Sequence, residues 1–579
     1  MAIAYRVDLA DPASHRYRVT LTVPSPAACQ RLSLPVWIPG SYMVREFARH
    51  LSGLSARQGR QAVPLRQLDK TTWEADCTGR SALVLSYEVY AFDASVRTAW
   101  LDDSRGFFNT TCLCLRVHGR EAEPHELSLG TLPKGWDVAT AMPAVPGRPR
   151  TWVSADHDEL SDHPFELGAF WRGRFEVAGV EHEFVVAGAW PGFDGERLLA
   201  DTRRICATQL AFWHGRRKPV FNRYVFMLWV VEDGYGGLEH RASTALIAKR
   251  RDLPRIGQPA QSEGYVTLLG LISHEYFHTW NVKRLKPREF LRYDYDRENY
   301  TELLWFFEGF TSYYDDLLLQ RAGLIDAGRY LKLLSRTING VRATPGRRVQ
   351  SVAQASFDAW NKYYRTDENT PNATVSYYTK GALVALLLDL RLRAGSGSGS
   401  LDDVMRALFK AHASTGLTEA DVLAAVEDAG GPELARELAG WVHGLGDLPL
   451  ETALQAAGVQ IGHDSTGFAA SLGLKLTEGP VTGSVVKSVL EGSAASRAGL
   501  SAQDELLAVD GWRIRRLEDA AQWLTEGQAF ELTYVRQQRL RTARVVPGGE
   551  AGVVQSWTLS LTPQPGARVA DLRKGWLGE

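Results

Sequence analysis

Residues 274 to 278 read His-Glu-Tyr-Phe-His. On a helix, positions i and i+4 share a face, so His274 and His278 can present two imidazoles to one metal ion. Glu275, beside the first of them, leans over the same ion and can take a proton from its bound water. These residue types at this spacing are the working core of a zinc hydrolase. The segment before them, Val266-Thr267-Leu268-Leu269-Gly270-Leu271-Ile272-Ser273, is apolar and predicts a buried helix. That setting weighs against the bland reading of two core histidines spaced by coincidence.

Catalytic zinc takes three protein ligands and keeps one position open. The candidate for the third is Glu308, in Leu304-Trp305-Phe306-Phe307-Glu308-Gly309-Phe310-Thr311. A lone carboxylate among aromatics is costly to bury unless something pairs with it, and coordination to a cation removes that cost. A salt-bridged core glutamate is the alternative, and Glu302 is the fallback ligand in more polar surroundings. The expected cofactor is one zinc per chain.

The elements that must hold these groups are spread over 579 residues, room for about four domains. The chain is 45% hydrophobic and 23% charged, with a formal net charge of -1. That balance is globular and supplies no field for nucleic acid or an anionic membrane. The strongest apolar run, Ala382 to Leu388, stops at Asp389 and is too short to span a bilayer. The first residues lack the apolar core of a signal peptide. Five cysteines form no CxxC pair, and Cys112 and Cys114 would share one face of a strand. They read as reduced thiols, so the expected location is the cytoplasm.

Residues 1–175 alternate with period two, as in Tyr17 to Val23 and Ala82 to Tyr90, and predict an all-β domain. Residues 176–455 turn mostly helical, with a buried strand over Phe221 to Val231 and helices near Thr301 to Ala322 and Tyr377 to Arg393. The tract Gly395-Ser396-Gly397-Ser398-Gly399-Ser400 reads as a flexible connector, with Ser400 capping the next helix. Short strands return over 462–548, and 549–579 reads as a C-terminal tail. The fold class is multidomain α+β.

His274-Glu275-Tyr276-Phe277-His278 followed by Glu308-Gly309-Phe310 resembles the gluzincin aminopeptidases. The longer string, continuing Thr279-Trp280-Asn281-Val282-Lys283-Arg284, resembles the glycyl aminopeptidase family within them. The resemblance implies an N-terminal β domain, a thermolysin-like catalytic domain and a C-terminal PDZ domain. It departs from thermolysin after Glu308, where Thr311 and Ser312 stand in place of the aspartate that orients a histidine. Gly236-Gly237-Leu238-Glu239-His240 resembles the Gly-x-Met-Glu-Asn strand of related aminopeptidases. By that likeness Gly236 and Gly237 run along the substrate backbone and Glu239 binds its free α-amine, with His240 in the place of asparagine. Tyr378, in Tyr378-Thr379-Lys380-Gly381, matches the tyrosine that donates a hydrogen bond to the oxyanion.

Gly492-Ser493-Ala494-Ala495 through Gly499-Leu500, then Asp510-Gly511, resembles a PDZ domain of bacterial protease type. Leu472, Gly473 and Leu474 fall where its carboxylate-binding loop would lie, ready for a peptide C-terminus. A fold kept only for packing is the other reading of this module. The leading function is a zinc aminopeptidase acting on peptides with a free N-terminus, glycine or alanine preferred. The alternatives are a PDZ-assisted zinc endopeptidase and a non-catalytic peptide-binding scaffold. The scaffold loses ground because the whole zinc constellation is intact. The endopeptidase loses ground because a buried Glu239 gains nothing from an internal peptide bond.

Overall fold

The computed structural model describes residues 2–395, 399–479, 483–548 and 555–578. Residues 396–398 of the Gly/Ser connector lie outside them. The chain forms two compact units, Met1–Tyr300 with His412–Gly416, and Thr301–Ala411 with Leu417–Glu579.

In the first unit, the period-two sequences form the sheet they predict. Arg16–Val23 pairs antiparallel with Leu83–Tyr90 along its whole length, and Tyr17, Val19, Leu21 and Val23 all point into the core. These strands belong to a seven-stranded sheet, joined by two four-stranded sheets. Thr110–Leu113 is a turn of helix, so Cys112 and Cys114 do not share a strand face as expected. All five cysteines are free thiols.

Trp171–Val177 already belongs to the next sheet, of five strands. Val180–Ala187, Arg223–Val231 and Ser243–Lys249 run parallel at its centre, and Gly236–Glu239 closes it antiparallel as an edge strand. Leu238, Ala245 and Ile247 from this edge are part of the N-terminal domain's own hydrophobic core. The shared core fixes the edge strand against the β domain. Helices Gly195–His214 and Glu263–Phe277 accompany this sheet.

In the second unit, the helix expected near 301–322 is broken into Leu304–Phe307 and Gly309–Arg321. Glu308 sits at the break, ending one helix and starting the other. Tyr377–Ala394 crosses the second of these with Gly381 against Gly309; a β-carbon on Gly309 would lie 2.6 Å from the Gly381 α-carbon. The apolar run on this long helix ends at Asp389, fully buried, which accepts from the Tyr313 hydroxyl at 2.6 Å and pairs with Arg393 at 2.9 Å. Ser400 caps Leu401–His412 as expected: the Asp403 amide donates to its Oγ at 3.3 Å. None of the described helices is long and apolar enough to cross a membrane.

The PDZ-like sheet runs Leu474–Gly479, Gly483–Val489, Glu505–Val509, Phe530–Arg536 and Arg539–Val545. After it, Ser556–Leu561 returns to pair with Val459–Asp464, and the helix Ala567–Leu577 buries Trp576. The Trp576 indole donates to Tyr313 Oη at 3.1 Å, and its carbonyl accepts from Arg321. The segment read as a tail is thus part of the packed structure.

Candidate metal centre and substrate strand

The helix Glu263–Phe277 begins where Ser262 Oγ accepts from the Tyr265 amide at 3.0 Å. It ends at His278, whose amide still donates to the His274 carbonyl. This places the two histidines one turn apart, with their Nε2 atoms 3.1 Å from each other. Two zinc–nitrogen bonds at a near-tetrahedral angle place their donors about 3.3 Å apart, so the pair fits zinc. His278 Nδ1 donates to the Asn281 carbonyl at 2.7 Å, which leaves Nε2 as the lone-pair nitrogen facing His274. The orienting role of the aspartate missing after Glu308 thus falls, for this imidazole, to the backbone carbonyl of Asn281, three residues after His278. Among the described residues one group could hold a metal ion: His274, His278 and Glu308, whose ligand atoms lie within 4.8 Å of one another. Two neutral imidazoles and one carboxylate match the donor set of a catalytic zinc.

The rest of the motif latches this helix end in place. Trp280, fully buried, donates from Nε1 to His214 at 2.8 Å. Arg284 Nη1 donates to the Thr279 carbonyl at 2.7 Å and the Arg241 carbonyl at 3.0 Å. Lys283 Nζ reaches Asp162 Oδ1 at 2.7 Å. The same carboxylate takes the Arg241 amide at 2.8 Å and His240 Nδ1 at 3.3 Å. Burial opposes its charge, but Lys283, His240 and Arg241 together hold Asp162 well below the usual carboxylate range. One aspartate of the β domain thus ties the end of the edge strand to the end of the zinc helix. This gives His240 a structural partner.

The strand Gly236–Glu239 carries Gly236, Gly237 and Glu239 past the helix. A β-carbon on Gly237 would lie 2.1 Å from Glu275 Oε1, so only glycine lets the strand approach that carboxylate. The Gly237 carbonyl accepts from Arg97 Nη2 at 2.9 Å. Glu239 is 3% exposed, and its Oε1 has no hydrogen-bond partner among the described residues. Gly40, at φ +87°, covers it; a β-carbon there would lie 2.4 Å from both carboxylate oxygens. Sequence reasoning missed Arg97, Gly40 and Asp162. Each comes from the β domain and has no local motif around it.

Gly237→Ala is expected to retain zinc and lose on the order of a hundred-fold in kcat, since the new methyl displaces Glu275. Metal content and turnover of the variant check this. Unchanged turnover would mean that the Glu275 position is not critical.

In the second unit, Glu308 is 2% exposed and Tyr377 is fully buried, while Tyr378 is half-buried. Tyr378 Oη lies 3.5 Å from Tyr364 Oη. Burial, then the Glu308 charge, pushes the Tyr378 phenol well above its ordinary value, so it stays a proton donor near neutrality. In the PDZ-like sheet, Leu472 and Leu474 are buried. The Leu472 and Gly473 amides donate to the Phe468 and Ala470 carbonyls at 3.2 and 2.9 Å, inside their own turn.

Residues 4–169 match the Peptidase M61 N-terminal domain, residues 267–384 the M61 glycyl aminopeptidase family, and residues 485–536 a PDZ domain. The crystal structure of an aminopeptidase N family protein from Idiomarina loihiensis is 37% identical with a TM-score of 0.93. That similarity covers 99% of this chain and 100% of the other. An M1 zinc metallopeptidase from Deinococcus radiodurans is 16% identical with a TM-score of 0.48, over 78% of this chain and 95% of its own. A comparison with curated proteins gives no match.

Proposed function

Since the chain belongs to the M61 glycyl aminopeptidase family and is a zinc aminopeptidase, we propose that it removes single N-terminal residues from peptides, glycine and alanine fastest. The observation that carries this reading is Glu239. A buried carboxylate with an unpartnered oxygen is costly, and the substrate's α-ammonium supplies the missing charge. The ammonium anchored there sets the scissile bond one residue in. The preference for glycine and alanine is supported by the likeness to the M61 glycyl aminopeptidase family.

His274, His278 and Glu308 would hold one zinc ion per chain, which supplies a water of lowered pKa and polarises the substrate carbonyl. Glu275 accepts the proton of the attacking water and returns it to the leaving amine. Tyr378 donates its phenolic hydrogen to the developing oxyanion. Arg97 holds the Gly236–Glu239 strand beside the substrate backbone. Five free thiols agree with a reducing compartment, and the cytoplasm is the proposed location.

The test is one assay on matched peptides that begin with Gly, Ala, Leu, Phe or Arg, each free and N-acetylated. Free Gly and Ala peptides should be cleaved fastest. Acetylation should cost several kcal/mol in kcat/KM, because it leaves Glu239 charged and unpaired. Faster release of Leu or Arg would overturn the small-residue preference alone. Equal rates on free and acetylated peptides would overturn the role of Glu239.

A further inference from the structure

A cavity of about 1000 Å³ lies within the second unit, far along the chain from the zinc motif. One wall is the helical end Asn339 to Arg348 with Asp447. The other is the turn before Leu474-Lys475 and the segment Leu490 to Arg497 of the PDZ-like sheet. This volume is that of a ligand site.

Its charge is unbalanced. Asp447 is already taken by Arg347 at 2.6 Å and Arg348 at 3.2 Å. Arg342, Lys475 and Arg497 have no carboxylate partner among the described residues. Arg342 lies over the Trp557 ring at 4.3 Å and donates to the Gln555 carbonyl at 3.0 Å. Partial burial, then the Arg347 charge, pushes it below its ordinary value, with Asp447 and Glu451 opposing the shift. Arg497 donates only to backbone carbonyls, of Gly492, Val546 and Gly548. Against these three cations the cavity offers one further carboxylate, Glu491. Leu474 and Leu490 supply apolar surface between the charges.

We propose that this cavity is a docking site for an acidic peptide segment, read through its side-chain carboxylates by Arg342, Lys475 and Arg497. A single C-terminal carboxylate fits less well. The amides of Leu472 and Gly473, which would cradle it, are already donated within their own turn. The three cations also come from separate elements and are spread over a volume far larger than one carboxylate needs.

The test is fluorescence anisotropy with the full-length protein and a fluorescein-capped peptide, Gly-Asp-Glu-Asp-Glu-Ala-amide, whose blocked ends exclude it from the aminopeptidase reaction. Its twin, with Asn and Gln for Asp and Glu, is the control. The acidic peptide should bind at least ten-fold tighter than the twin. Lys475→Glu, and separately Arg342→Glu, should each weaken it ten-fold or more, with circular dichroism and turnover of an alanine amide unchanged. Equal binding of the two peptides, or undiminished binding to both folded variants, would overturn the proposal. So would binding that requires a free C-terminus.

Discussion

Glu275→Gln is expected to keep its zinc and to lose on the order of a thousand-fold in kcat. Glutamine has the shape of glutamate, so the approach of Gly237 to this side chain survives the change. Its neutral amide cannot accept the proton of the attacking water. Metal analysis and turnover on a glycine amide check both halves. A variant that turns over at the wild-type rate would remove Glu275 from the chemistry. One that loses zinc would make it part of the metal's support.

Tyr378→Phe is expected to lower kcat by roughly 3 kcal/mol in activation free energy with little change in KM, since an oxyanion donor acts only in the transition state. Tyr377→Phe supplies the contrast. Tyr377 is fully buried while Tyr378 is half-buried, so Tyr377→Phe should leave kcat unchanged. If Tyr377→Phe damages kcat and Tyr378→Phe does not, the donor has been assigned to the wrong tyrosine.

What the sequence makes legible here is local. The helix under His274 and His278 follows from an apolar run and a one-turn spacing within residues 266–278, and the structure adds the cap at Ser262. Glu308 stands out because it is one charge among five aromatic or aliphatic neighbours. Its place at a helix break is marked only by Gly309, and a single glycine is a weak stop that a continuous helix can absorb. The supports of the site are harder still. Arg97 meets the Gly237 carbonyl, and Asp162 meets Lys283, across more than a hundred residues of chain. Such contacts have no period and no spacing for a reader to find. The turn at Thr110–Leu113 was hidden for another reason: it is too short for helical periodicity to appear, and Thr and Cys favour a strand reading. The return of Ser556–Leu561 to Val459–Asp464 is likewise a long-range pairing.

This zinc site is proposed to work from the N-terminus inward. Its most direct test is a mass-spectrometric time course on one unmodified peptide, Gly-Ala-Phe-Leu-Lys-Ser. Free glycine should appear first and alanine next, with each shortened peptide following its parent and no internal fragment at any time. Early appearance of fragments cut in the middle, with the N-terminal glycine still attached, would contradict it.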